Sequence, residues 1–175
     1  MELEYKGYRL QSVYQQAVSP QREEIINLWT ACKVVTPLEA ERRVDEVVLT
    51  VRNSEGCLVG VSTAYLQKFI PEEVHPFYFM RMFIRPEDRG QFGLYQLLSR
   101  KTREFLKKYE QPGCFPKGVV ILLENRKFLG RGNRKSLERR GWSYWGQGVK
   151  GYHVWYECFD GSLLAPPPGQ KPEGR

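Results

Sequence analysis

The chain has 175 residues, of which 41% are hydrophobic, 27% charged and 13% aromatic, with 27 Lys and Arg against 20 Asp and Glu for a formal charge of +7. That length suits one domain, and the balance of apolar and charged residues excludes long disorder, collagen and coiled coils. No run of eighteen apolar residues is present, the acidic start MELEYKGYRLQ lacks the basic-then-apolar order of a secretory signal, and four scattered cysteines with two histidines offer no zinc spacing. The expectation is a cytoplasmic protein with no membrane span, no disulfide and no metal.

Lys6 to Val13 reads as a short strand. Ser19-Pro20 then predicts a helix start, with Ser19 as N-cap, Pro20 at the first helical position and Glu23 and Glu24 in the first turn. Ile25, Ile26, Trp29 and Cys32 form its apolar stripe. Thr36-Pro37 repeats the signal, and Glu39, three residues after Thr36, suggests a capping box for a helix through about Arg43. Glu46 to Val51 and Cys57 to Leu66 are β-branched and apolar, joined by the turn-forming Asn53-Ser54-Glu55-Gly56. Pro76 to Ile84 is a third, aromatic strand, ended by Pro86. From Gly90, Leu94, Leu97, Leu98, Phe105, Leu106 and Tyr109 follow helical spacing. Lys117 to Leu123 is a continuous apolar run of the kind buried on both faces. A polar, basic helical segment, Gly141, and the strand-like runs Trp142 to Gly146 and Tyr152 to Phe159 complete the order. Residues 1–160 read as one α+β domain, and 161–175, with four prolines and little apolar mass, as a flexible tail.

The junction Met82-Phe83-Ile84-Arg85-Pro86-Glu87-Asp88-Arg89-Gly90-Gln91-Phe92-Gly93-Leu94 runs from a strand through a short turn into a helix. First-turn N–H groups lack internal partners and lie at the positive end of the helix dipole, so such a junction suits an anion. Glycine there lets a diphosphate approach the main chain, although Gly90 and Gly93 also read as ordinary turn and packing glycines.

Ile84 to Gln91 resembles the signature of the GNAT superfamily of acyl-CoA-dependent N-acyltransferases, in which a strand ending V-x-P-x-x-R-G-x-G-x-G/A feeds the helix that binds the CoA pyrophosphate. The order of elements, from about Tyr8 to Phe159, is similar too. The pattern departs at Phe92, where glycine is usual, and at Leu94, where Gly or Ala is usual. The resemblance implies a mixed, mostly antiparallel sheet of six or seven strands, with splayed central strands and helices on both faces. It further implies an acetyl-CoA or other acyl-CoA co-substrate, an amine acceptor and direct attack in a ternary complex. Met82, Phe83 and Ile84 would then hold the pantetheine and polarise the acyl carbonyl, while Arg89, Gly90, Gln91, Phe92, Gly93 and Leu94 would cradle the diphosphate and Asn125 contact the cofactor.

Glu124, a carboxylate ending a buried strand, is the candidate base, with pairing to an arginine or capping of the next helix as the other reading. The tyrosine that many members place in their last helix, as acid for the departing thiolate, corresponds here to Leu137, which leaves Tyr144 or Tyr152 as replacement, or no acid. Arg81, inside the run PFYFMRMFI, needs a partner: Glu46, Glu124 or a carboxylate on the acceptor. Residues 126–140 hold seven basic side chains and one acid. That patch steers an anionic ligand, forms a solvated helix face, or supports a third reading as a nucleic-acid-directed modifier. A non-catalytic binding module is the second reading, and a homodimer is open.

Overall fold

The computed structural model describes residues 1–69, 72–91, 93–123, 131–148 and 151–167. Among these the strands are β1 (Glu2–Tyr5), β2 (Tyr8–Ser12), β3 (Val47–Arg52), β4 (Leu58–Phe69), β5 (Glu72–Ile84), β6 (Gly118–Leu123), β7 (Ser143–Gln147) and β8 (His153–Cys158). The helices are α1 (Ser19–Ala31), α2 (Pro37–Arg43), α3 (Leu94–Lys108) and α4 (Arg131–Glu138). The sheet order is β1-β2-β3-β4-β5-β6-β8-β7. β5 and β6 are parallel, and the pairs β1–β2, β2–β3, β3–β4, β6–β8 and β7–β8 are antiparallel. Among the described residues no helix is long and apolar enough to cross a membrane. The chain divides into two compact units, Met1–Tyr65 with Arg81–Leu106 and Leu66–Met80 with Lys107–Arg175.

In the first unit the expected strand from Lys6 is a hairpin instead, which brings the sheet to eight strands rather than six or seven. Lys6 and Gly7 take φ values of 49° and 78°, the two left-handed residues that a tight hairpin turn matched to strand twist requires. Glu2 to Tyr5 thus pairs back on Tyr8 to Gln11. Helix α1 also starts one residue early. Val18, not Ser19, is the extended cap residue, with no side-chain bond to the helix end. Its carbonyl takes the N–H groups of Gln21 and Arg22, and Pro20 fills a first-turn position that needs no donor. Glu24 engages Arg52 of β3, with Nη1 donating to Oε1 at 2.7 Å, rather than the helix end. Helix α2 has the expected bounds, and Thr36 Oγ1 accepts from the Glu39 N–H at 3.3 Å.

Strand β4 separates two packed layers. Val61 joins Val13, Ile25, Trp29, Ala40 and Val44 in an apolar cluster under α1 and α2. The next residue, Ser62, faces the other way and meets α3, where Thr102 Oγ1 donates to Ser62 Oγ at 2.7 Å. Alternation along one strand therefore places helices on both faces of this unit. Leu94, Leu98 and Leu106 of α3 are essentially fully buried, each contributing about 1.5–3 kcal/mol relative to exposure.

In the second unit β6 sits between β5 and β8, and Gly118 through Ile121 are buried, as a two-sided strand should be. Phe69 meets Phe77, Phe79 and Trp145 edge-on at centroid distances of 5.5, 6.1 and 5.1 Å. In the turn after helix α4, Gly141 has a φ of 88°, and the Trp142 N–H reaches back to the Leu137 carbonyl. Residues 161–167, the start of the expected tail, are held. Trp145 Nε1 donates to the Ala165 carbonyl and the Leu164 N–H donates to Tyr156 Oη, both at 2.9 Å, and Pro167 is buried. These side-chain partners replace the apolar mass that the segment lacks.

Candidate functional site

The turn from β5 into α3 lies wholly in the first unit. Asp88 ties it down. Tyr8 Oη donates to Asp88 Oδ1 at 2.8 Å, the Arg85 guanidinium pairs with the same carboxylate, and burial is the main reason the Tyr8 phenol is pushed above its ordinary pKa. Arg89 Nε donates to the Ile84 carbonyl at 2.8 Å, and its guanidinium lies 5.6 Å from the Phe83 ring centre, which binds the turn to the strand end. Within the turn the Arg89, Gln91 and Leu94 N–H groups make long bonds of 3.3, 3.3 and 3.2 Å to the carbonyls of Pro86, Asp88 and Gln91. Three of the expected cradle donors are thus turned inward on weak bonds. The Gly90 N–H has no acceptor among the described residues, and the space where a Gly90 side chain would stand is open. Gly93 is different: its φ is +88°, and a Cβ there would lie 2.7 Å from the Tyr5 hydroxyl oxygen. Leu94 is 1% exposed, so its side chain belongs to the core.

Two hydrogen bonds set the facing of the β5 main chain. The Arg85 N–H donates to the Val59 carbonyl at 2.8 Å, which puts odd-numbered positions toward β4. The Pro76 carbonyl accepts from Lys117 at 2.9 Å, which puts even-numbered positions toward β6. The two anchors agree in parity, so the N–H groups of Met82 and Ile84 point away from β4. Among the described residues the β5–β6 ladder has its last pair at Phe79 and Val120, short of both positions.

Of the partners expected for Arg81, the structure places Glu46 beside it, with Nη1 donating to Oε2 at 2.9 Å. The guanidinium carbon lies over the Tyr65 ring, 4.3 Å from its centre. Arg81 borders a cavity of about 180 Å³ in the same unit. Trp29, Val34, Val35, Val61 and Phe83 give it apolar walls, and Arg43, Thr63 and Met82 complete it. Sequence reasoning missed the cavity. The one local signal was Thr63, a hydroxyl on the same face of β4 as Val61.

Solved structures match this architecture along most of its length. An acetyltransferase of the GNAT family from Streptococcus pneumoniae superposes with a TM-score of 0.54 at 11% identity, covering 86% of this chain and 99% of that one. A GNAT-family acetyltransferase from Listeria monocytogenes gives 0.57 at 13% identity, covering 90% and 99%. An N-acetyltransferase from Kribbella flavida gives 0.57 at 10%, covering 87% and 98%. The chain has the GNAT fold. No protein-family model matches the sequence, and no curated protein matches it either.

Within the GNAT fold, the expected site residues Met82, Phe83, Ile84, Arg89, Gly90, Gln91, Gly93 and Leu94 form one continuous strand end, turn and helix start in the first unit. Phe92, Glu124 and Asn125, with residues 126–130 of the basic segment, lie outside the described residues. Leu137, which the resemblance sets at the tyrosine position, is in α4. Tyr144 belongs to the second unit. Its hydroxyl is hydrogen-bonded to His153 Nδ1 at 2.9 Å, and the Arg134 guanidinium lies 4.7 Å from its ring centre. Arg134 is also 3.4 Å from Glu138, so this part of the basic patch has partners inside the protein.

Proposed function

We propose that the chain is an acyl-CoA-dependent N-acyltransferase, with acetyl-CoA as the expected donor, acting by direct attack of an amine in a ternary complex. The observation that carries this reading is the pair of main-chain donors at Met82 and Ile84, facing away from β4 immediately before an open glycine turn, in a GNAT fold. When bound, the thioester supplies the electrophilic carbonyl carbon. The N–H groups of Met82 and Ile84 donate to its oxygen as charge builds there. Gly90 keeps the turn bare so that a diphosphate can reach the main chain. The amine nitrogen forms the new bond to carbon, the carbon–sulfur bond breaks, and the amine proton passes to a base, for which Glu124 is the candidate. The thiolate takes a proton from water or from a phenol such as Tyr144.

Isothermal titration with acetyl-CoA tests the first step. Micromolar binding is expected, and Gly90→Val should weaken it about tenfold or more while leaving the ligand-free thermal midpoint in place. Binding that ignores the branched side chain would remove the turn from the site. Glu124→Gln should slow turnover with acetyl-CoA affinity retained, and a fully active variant would retire Glu124 as base. A second reading is a binding module without catalysis, supported by Leu137, which the resemblance sets at the position of the acid in many GNAT enzymes. Acetyl-CoA bound tightly, but transferred to no amine, would select that reading.

A further inference from the structure

We infer that the cavity bordered by Arg81 is an acceptor pocket selective for a small amine bearing one carboxylate and an apolar side chain, with Arg81 reading the carboxylate. The inference rests on the transferase reading above, because it names that reaction's acceptor.

Charge is the first argument. Three guanidiniums, Arg42, Arg43 and Arg81, share two carboxylates, Glu39 and Glu46, since Arg42 and Arg43 both bind Glu39. Arg43 and Arg81 both line the cavity and no carboxylate does among the described residues, so its polar end is set by guanidinium N–H groups. Arg81 suits a carboxylate by geometry. Among the described residues only Nη1 is committed, to Glu46, the side chain is 36% exposed, and the Tyr65 ring centre lies 4.3 Å from the guanidinium carbon. A planar fork presents paired N–H groups that match a carboxylate better than a lysine would.

Thr63 is the second argument. Its Oγ1 is buried without a hydrogen-bond partner among the described residues, the whole residue is 4% exposed, and it borders the same cavity. A buried hydroxyl left unsatisfied is costly, and a polar group of a bound molecule would satisfy it. The walls and the size then limit the rest. Trp29, Val34, Val35, Val61 and Phe83 favour hydrocarbon opposite the charged end. A volume of about 180 Å³ falls below the roughly 300–1,000 Å³ of sites for drug-sized ligands, which favours a group the size of a single amino acid. Met82 lines the cavity and also carries one of the proposed oxyanion donors, so an amine held there adjoins the carbonyl it would attack.

The test compares L-leucine with L-leucinamide, 3-methylbutylamine and the phosphonate analogue of leucine, using acetyl-CoA as donor and the full chain as enzyme. Leucine should exceed the amide and the amine in kcat/KM by about 10- to 100-fold, chiefly through KM, and the phosphonate should not surpass it. In Arg81→Met the ratio of leucine to leucinamide should fall close to one, with Arg81→Lys between. If Arg81→Met alone fails to fold because Glu46 loses its partner, Arg81→Met with Glu46→Gln serves instead. Thr63→Val should raise KM for leucine and leucinamide alike and leave their ratio intact. Titration of leucine without acetyl-CoA separates the two readings. Arg81-dependent leucine binding with no transfer to any amine would end the transferase reading and keep the pocket. Transfer to leucinamide as efficient as to leucine, discrimination that survives Arg81→Met, a phosphonate preferred tenfold, or no leucine binding and no transfer to it would each overturn the pocket.

Discussion

Gly93 holds a left-handed backbone, and a side chain there would press on the Tyr5 hydroxyl oxygen at 2.7 Å. Both constraints come from the fold, because Tyr5 is placed by the β1–β2 hairpin. Gly93→Ala should therefore cost about 1–3 kcal/mol in urea unfolding, with strain at positive φ and the contact acting together. Gly90, three residues earlier, has no such neighbour and no positive φ, so Gly90→Ala should fall within about 0.5 kcal/mol of the parent. Equal losses at the two positions would show that this account of the turn is wrong. In the sequence both glycines look alike, since neither Tyr5 nor the hairpin that carries it is local to the motif. Arg81 teaches the same lesson. Its need for a partner was legible from a charge inside an aromatic run, but the choice of Glu46, 35 residues away, depends on how the chain returns.

Helix α2 shows what short-range chemistry can settle. Thr36, Pro37 and Glu39 lie within one turn, so cap, start and length could be read directly, and the Thr36 bond to the Glu39 N–H follows. The Glu39 carboxylate itself is taken by Arg42 and Arg43, and Arg42 foremost holds its pKa down from 4.5 to about 2. A depressed carboxylate pKa stabilises the fold above the unfolded value, and that contribution disappears as the pH falls through the folded one. Parent and Glu39→Gln should differ in thermal midpoint above about pH 5, with the parent higher, and converge between pH 4.5 and 2. A gap that stays constant across that range would assign Glu39 no ionic role. Elements whose signals are not local were harder to read. β1 was missed because four residues with a Lys-Gly turn carry little periodicity, and α1 is capped by Val18 although Ser19 has the better cap chemistry. The cavity was illegible for a related reason: its lining comes from α1, the α1–α2 connection, α2, β4 and β5, and each residue is ordinary in its own segment.

For the molecule as a whole, residues 161–167 belong to the folded part of the second unit. Ending the chain at Asp160 removes the partners of Trp145 and Tyr156 and the burial of Pro167, so the thermal midpoint should drop by about 2–8 °C. An unchanged midpoint would mean that the two hydrogen bonds add nothing. The first unit has a feature with a different kind of consequence. It is assembled from two separated stretches, 1–65 and 81–106, and the hydroxyl of Tyr8 finds its acceptor on Asp88, eighty positions later in the chain. At ribosomal rates of about 5–20 residues per second, that acceptor is synthesised roughly 4–16 s after the tyrosine. The amino-terminal hairpin must therefore wait, partly exposed, until translation delivers the turn on which it closes.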